Sequence, residues 1–278
     1  MQKLIVEPKY NNKKLSVFLY EHFNGLNSST FHKALRKKDI RINEDQIVHE
    51  FDTITVFIID DLLYKNININ KIYEDENILI ISKPAELEVV STSKEETVTT
   101  ILSKEYSYLK PCHRLDRNTT GLVLFAKTPE ALEILLEKFK NREIKKNYHC
   151  MVVGKMPHKE ETLKAYLFKD TKKAQVYISE KPKKGYLEII TKYSVISENK
   201  ENNTSILNID LVTGRTHQIR AHLAFIGHPI IGDGKYGINE INKKFKYKYQ
   251  QLTNYQIQFK FTTSSGLLDY LNNKIIHL

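Results

Sequence analysis

Residues 113–127 read HRLDRNTTGLVLFAK. One carboxylate, Asp116, stands between Arg114 and Arg117, just ahead of an apolar run. Guanidinium groups favour the charged form of a carboxylate when they come within several ångströms. An ionised carboxylate in a partly enclosed site can act as a nucleophile or a base. The same spacing also fits a turn residue or a surface ion-pair partner, the commoner fate of a single acid.

A second cluster changes that balance. Residues 213–237 read TGRTHQIRAHLAFIGHPIIGDGKYG, with Arg215, Thr216, His217, Gln218, Arg220, His222, His228 and Asp233. On a helix, His217 and Arg220 are three apart and share a face. The histidine spacing fits no zinc motif, so no metal is expected. Gly232, Gly234 and Gly237 satisfy G-x-G-x-x-G, but no βαβ unit surrounds them and no acid follows at about 20 residues to hold a ribose. No cofactor, nucleotide or otherwise, is expected, and the glycines permit a tight turn near the site. HRLDRN also departs in order and spacing from the kinase loop H-R-D-L-x-x-x-N, with no Gly-rich loop or D-F-G in support. Cys112 and Cys150 form no CxxC pair and read as reduced, buried thiols.

These residues need a scaffold, and the chain is long enough to supply one. Its 278 residues allow one large domain, or a large and a small one, and 41% are apolar. The net charge of +10 favours a polyanionic partner without specifying it. No apolar stretch approaches the roughly 18 residues of a membrane span, and MQKLIVEPKY lacks the core of a signal peptide. A cytoplasmic protein is expected.

Residues 13–60 read as a small module. KKLSVFLYEHF places Leu15, Phe18, Leu19 and Phe23 at helical spacing. Ser28 or Ser29 is expected to cap a second helix bearing Phe31, Ala34 and Leu35. Lys33, Arg36, Lys37, Lys38 and Arg41 cluster on and after it, suited to phosphates or simply to solvent. DIRINEDQIV is expected to form a hairpin turning at Asn43-Glu44-Asp45, followed by a strand in FDTITVFI. Residues 61–71 read as a linker and 91–97 as a polar loop.

The larger part begins with the strand Ile78–Ile81, followed by the apolar strand GLVLFAK. Thr128 caps a helix with Pro129 at its first position. NYHCMVV, YLEIITKYSVI and SILNIDLV follow as strands. HQIRAHLAFIG reads as a helix ending at Gly227, a left-handed cap. INKKFKYKYQ, 241–250, alternates lysines with aromatics and suits an extended RNA-contact segment or a lysine-guarded edge strand. NYQIQFKF reads as the last strand. Many strands and few helices predict an α+β domain on a mostly antiparallel mixed sheet.

HRLDRNTTGLVLFAK together with GRTHQIRAHLAFIGHPIIGDGKYG resembles the RluA-type RNA pseudouridine synthases. KNYHCMVVG resembles the family's tyrosine-bearing strand and EDENILIISKP its opening strand. The resemblance spans about residues 13–237 and includes an S4-like RNA-binding module. It implies an S4-like module over 1–62 and a catalytic domain over 72–278. It implies an isomerase that turns specific uridines of structured RNA, ribosomal RNA first and transfer RNA second, into pseudouridine. Asp116 resembles the catalytic aspartate, and Tyr148 the tyrosine that stacks on the flipped base. Arg220 resembles the residue that pairs with the aspartate, and Arg114 the arginine that enters the RNA where the base leaves. Lys33, Arg36 and Lys37 are the RNA-binding residues expected on the small module. A monomer with RNA as partner and no membrane association is expected. Two positions depart from the family: Glu86 stands where glycine commonly follows K-P-A, and Thr119-Thr120-Gly121 replaces T-S-G. A non-catalytic RNA-binding protein and a hydrolase with an aspartate nucleophile are the alternatives.

Overall fold

The computed structural model describes residues 1–42, 46–63, 67–91 and 96–278. The chain divides into two compact units, Met1–Asn68 and Ile69–Leu278.

The first unit contains strands β1 (Gln2–Ile5), β2 (Lys13–Lys14), β3 (Ile40–Arg41), β4 (Ile47–Val48) and β5 (Thr53–Val56), with helices α1 (Leu15–His22), α2 (Ser28–Lys37) and α3 (Asp60–Leu63). β5 lies between β1 and β3, and β2 pairs with β4. The core takes Leu15, Phe18, Leu19 and Phe23 from the first amphipathic stretch and Phe31 and Ala34 from the second. Asn27, not Ser28 or Ser29, caps α2: its side chain accepts from the Thr30 N–H at 2.9 Å. The expected hairpin does not form between β3 and β4, which pair with β5 and β2 respectively. These strands are two residues long, and pairing is decided by which neighbour buries Ile40 and Val48. The proposed turn Asn43-Glu44-Asp45 lies outside the described residues. Part of the expected linker is folded: Leu63 is buried in this core, whereas 64–66 lie outside the described residues. Lys33, Arg36 and Lys37 are exposed on α2, away from Phe31 and Ala34.

The second unit contains β6 (Asn70–Glu74), β7 (Ile78–Lys83), α4 (Val98–Leu102), β8 (Lys110–Pro111), β9 (Thr120–Ala126), α5 (Pro129–Lys140), β10 (Ile144–Val153), β11 (Glu160–Asp170), β12 (Gln175–Ser179), β13 (Leu187–Asn199), β14 (Thr204–Leu211), α6 (Gln218–Phe225), α7 (Asn239–Phe245), β15 (Leu252–Phe259) and β16 (Ile275–His277). Its sheet runs β12-β11-β13-β14-β10-β15-β9-β7-β6, with β16 on β15 and β8 on β9. Among the described pairings, β9–β15 is parallel and the others are antiparallel, as expected for an α+β domain. β7 and β9 are apolar on both faces because both faces are covered. Leu122, Leu124 and Ala126 of β9 pack with Ala131 and Leu135 of α5. Thr128 caps α5, accepting from the Ala131 N–H at 3.1 Å. α6 lays Ala221 on Ala165, Leu167 and Ile189 of β11 and β13.

Three expectations change. Residues 239–245 form α7 and Lys246 ends it in a left-handed cap, so INKKFKYKYQ is helix and turn, and its lysine–aromatic alternation does not mark a strand. β16 follows NYQIQFKF as the last strand. Of the 91–97 loop, residues 92–95 lie outside the described residues, and Thr97 caps α4 in a reciprocal pair with Thr100. Among the described residues no helix is long and apolar enough to cross a membrane.

Candidate active site

Asp116 lies in the loop between β8 and β9, and Arg220 lies one turn into α6. Each element is fixed independently, and the two meet. The loop turns back on itself where the Thr119 N–H donates to the Asp116 carbonyl at 3.0 Å. It then enters β9 at Gly121, whose φ is +108°. A Cβ there would sit 2.2 Å from the Asn254 carbonyl oxygen, so only glycine lets β9 lie this close to β15. Asn254 closes the contact by donating to the Leu122 carbonyl at 2.7 Å.

Lys83, the lysine of the K-P pair, holds the loop from beneath. It is fully buried and donates to the carbonyls of Pro84 and Leu87, each at 2.7 Å, and of Arg117 at 2.9 Å. These use all three donors of an ammonium. Burial, opposed by the charges of Asp116 and Glu88, pulls Lys83 down to about 7.

α6 is anchored by Gln218. Its Oε1 accepts from Thr213 Oγ1 at 2.9 Å and from the Arg215 N–H at 3.1 Å. Its Nε2 donates to the Ile190 carbonyl and to Thr191 Oγ1. All of its hydrogen-bonding capacity is spent on aligning the helix start.

Arg220 joins two carboxylates. Nη1 donates to Asp116 Oδ2 at 2.9 Å, and Nε and Nη2 grip Asp233 at 2.7 and 3.0 Å. Such fork-to-carboxylate contacts fix geometry as well as charge. Burial alone would lower the Arg220 pKa, but the two carboxylates raise it above its ordinary value. Asp233 is fully buried. Burial pushes its pKa up, yet Arg220 and the N–H groups of Lys235 and Tyr236 hold it below the ordinary range. Gly232 and Gly237 make this turn possible, since a Cβ at either would strike the Tyr249 or Asp233 carbonyl oxygen.

His217, at the start of α6, brings Nε2 to 4.0 Å from Asp116 Oδ2. Its Nδ1 faces the Tyr236 hydroxyl at 2.9 Å. That hydroxyl accepts from the Val176 N–H, leaving its own proton for Nδ1, which would place the ring's proton on Nε2 toward Asp116. Burial lowers the His217 pKa, opposed by Asp116 and reinforced by Arg220.

Tyr148 of β10 is 4% exposed. Burial, then the charge of Asp116, raises its hydroxyl above the ordinary tyrosine pKa. Lys146, two residues earlier on the same strand face, is drawn down by burial to about 8. A cleft of about 150 Å³ brings Arg114, Asp116, Lys146, Tyr148, His217 and Arg220 to one surface.

The cleft thus gathers four expected site residues: Arg114, Asp116, Tyr148 and Arg220. Lys33, Arg36 and Lys37 belong to the first unit. Lys83 and Lys146 are not among the expected site residues, and Gln218 stands in the sequence only as a member of the second cluster. The adjacency of Lys83 to Pro84 and of Lys146 to Tyr148 was the available signal. The two thiols are buried, and burial pushes Cys112 up to about 12. Its neighbour His113 turns Nε2 to the Leu124 N–H at 3.1 Å, so no thiolate–imidazole pair forms. Glu86 takes φ +68°, a left-handed conformation that explains why glycine suits this position. Its carboxylate meets Lys248 Nζ at 2.9 Å.

Residues 77–225 match the RNA pseudouridylate synthase family. The chain is 31% identical over 247 residues to the mitochondrial tRNA pseudouridine(32) synthase of Saccharomyces cerevisiae, covering 84% of this chain and 52% of that protein. An uncharacterised RNA pseudouridine synthase of Mycoplasma capricolum is 31% identical, over 99% of this chain and 97% of its own length. Ribosomal large subunit pseudouridine synthase D of Blochmanniella floridana is 34% identical, over 72% and 64%. In fold, the human RNA pseudouridylate synthase domain containing 1 superposes with a TM-score of 0.60 at 21% identity, covering 71% of this chain and 80% of that one.

Proposed function

The chain belongs to the RNA pseudouridylate synthase family and isomerises uridine in RNA; from that premise we propose that Asp116 is its catalytic carboxylate, acting on a base turned out of its stack into the Tyr148 cleft. The reaction breaks the N1–C1′ bond, rotates the uracil and joins C5 to C1′. The C5 proton is lost and N1 gains one, so no electrons are exchanged with a partner.

The observation that carries the reading is the 2.9 Å contact between Arg220 and Asp116 in a cleft that also presents Tyr148 and Arg114. Arg220, locked by Asp233, fixes one oxygen of Asp116 and leaves the other for the substrate. Fixed charges act more strongly in a water-poor site than in solution. Tyr148 stays protonated at neutral pH and offers a ring face for the uracil. Arg114, exposed at the rim, fills the space the base vacates. Extrusion costs a few kcal/mol, which this stacking and filling offset.

The substrate is structured RNA, ribosomal RNA first and transfer RNA second. Relatives named for transfer RNA and for the large ribosomal subunit support both classes as candidates. Residues 1–62 act as an S4-like RNA-binding module through Lys33, Arg36 and Lys37, which α2 presents to solvent. The test is pseudouridine mapping of ribosomal and transfer RNA from cells with and without the protein. A site lost on deletion and restored by purified protein is expected. Unchanged maps in both RNA classes would overturn the proposed substrate.

A further inference from the structure

Beside the catalytic cleft lies a second hollow of about 350 Å³, lined by Phe168, Lys169, Leu187, Gly214, Arg215 and Thr216. Gly214, Arg215 and Thr216 line both, so the two adjoin across that segment. Phe168 is 37% exposed and Leu187 51%, a large apolar display for a site nothing covers. Phe168 stacks on Tyr186 with ring centres 5.4 Å apart and planes 27° apart. Lys183 Nζ lies 5.7 Å from the centre of the Tyr186 ring. Gly185, at φ +83°, lets the loop pass against Phe168.

The charge around this pair is one-sided. The loops KDTKKA (169–174) and EKPKKG (180–185) carry six lysines against two acids. Lys169, Lys183 and Arg215 are exposed, and among the described residues none has a carboxylate partner. A stacked aromatic pair ringed by uncompensated cations matches the two needs of an unpaired nucleotide, a flat surface for the base and positive charge for the phosphate. A protein partner would instead call for a larger apolar centre with a polar rim.

We propose that Phe168 and Tyr186, with Lys169, Lys183 and Arg215, form a stacking subsite for an unpaired nucleotide of the substrate RNA flanking the target uridine. This rests on the reading of the neighbouring cleft as the uridine site. The subsite selects RNA whose target neighbour is free to unstack, and so adds a conformational requirement to recognition. It acts on binding, not on the bond changes.

The probe is a fluorescein-labelled twelve-residue oligouridylate, titrated into the full chain and followed by anisotropy. Stacking contributes about 1–3 kcal/mol per base, so Phe168→Ala with Tyr186→Ala should weaken binding roughly 5- to 150-fold. Phe168→Trp should restore it, which controls for misfolding. Lys183→Met and Arg215→Gln should each reduce the slope of log affinity against log salt by about one. Unchanged affinity in the double alanine variant, or equal loss with Phe168→Trp, would overturn the subsite. Pseudouridine formation by wild-type protein on ribosomal and transfer RNA is measured alongside. Weakened binding with no product from wild type would sink the uridine-site reading and leave the stacking surface standing. Product from wild type with unaltered oligonucleotide affinity in the variants would do the reverse.

Discussion

Replacing Arg220 with lysine keeps the positive charge and removes the fork. In the native site, Nε and Nη2 hold Asp233 at 2.7 and 3.0 Å while Nη1 holds Asp116 at 2.9 Å. A lysine ammonium cannot span both carboxylates with this geometry. Facing the fully buried Asp233, it would settle there and release Asp116. One charge-assisted hydrogen bond contributes about 1.5–3 kcal/mol. If it serves to orient Asp116 in the transition state, kcat should fall roughly 10- to 150-fold. Arg220→Met should fall further and destabilise the fold by about 3–5 kcal/mol, because it strands a buried carboxylate. The assay is single-turnover release of hydrogen from C5 of uridine-labelled substrate RNA at saturating protein. A rate for Arg220→Lys within twofold of wild type would refute the argument that the fork positions Asp116.

Lys83→Met should destabilise the second unit by about 3 kcal/mol, since three carbonyls, that of Leu87 buried, lose their donor; urea unfolding measures it. Gly121→Ala should cost more than about 3 kcal/mol, because the new methyl meets the Asn254 carbonyl at a forced left-handed φ, and the protein should fail to reach wild-type melting temperature. His222 is buried against Thr191, and burial lowers it from 6.5 to about 4. The unfolded chain therefore binds the extra proton first, so stability is full above pH 6.5 and falls by about 3 kcal/mol as pH drops toward 4. His113, lowered in the same direction by burial, adds to the loss. Thermal melts across this range should show the decline, with a shallower one in His222→Gln.

Much of this was legible because local chemistry and tertiary demand agree. Thr128-Pro129 before an amphipathic run starts α5 as the residues require. The alternation in NYHCMVV becomes β10 with Tyr148 turned inward. HQIRAH forms α6, and Gln218 ties its start to Thr213, Arg215 and β13. The failures share a cause: short elements take their partners from the fold. β3 and β4 are two residues each, too short to select one another, so DIRINEDQIV did not become a hairpin. Lysine–aromatic alternation in 241–250 carried no burial pattern, and helix won. Lys83 escaped notice as a structural cation because its three acceptors come from carbonyls, which no sequence reveals. The ion partner of Asp116 was visible only through resemblance, since spacing pointed to its neighbours in the chain and the fold supplied Arg220 instead.

In the proposed mechanism Asp116 performs the chemistry while the rest of the cleft holds it and the base. Single-turnover pseudouridine formation by Asp116→Asn, beside wild type and with RNA affinity measured on the same samples, tests it most directly. Asparagine preserves size and can still meet Arg220 through its carbonyl oxygen, so binding should survive. No detectable product is expected, at wild-type-like affinity. Product formed at an undiminished rate would contradict it.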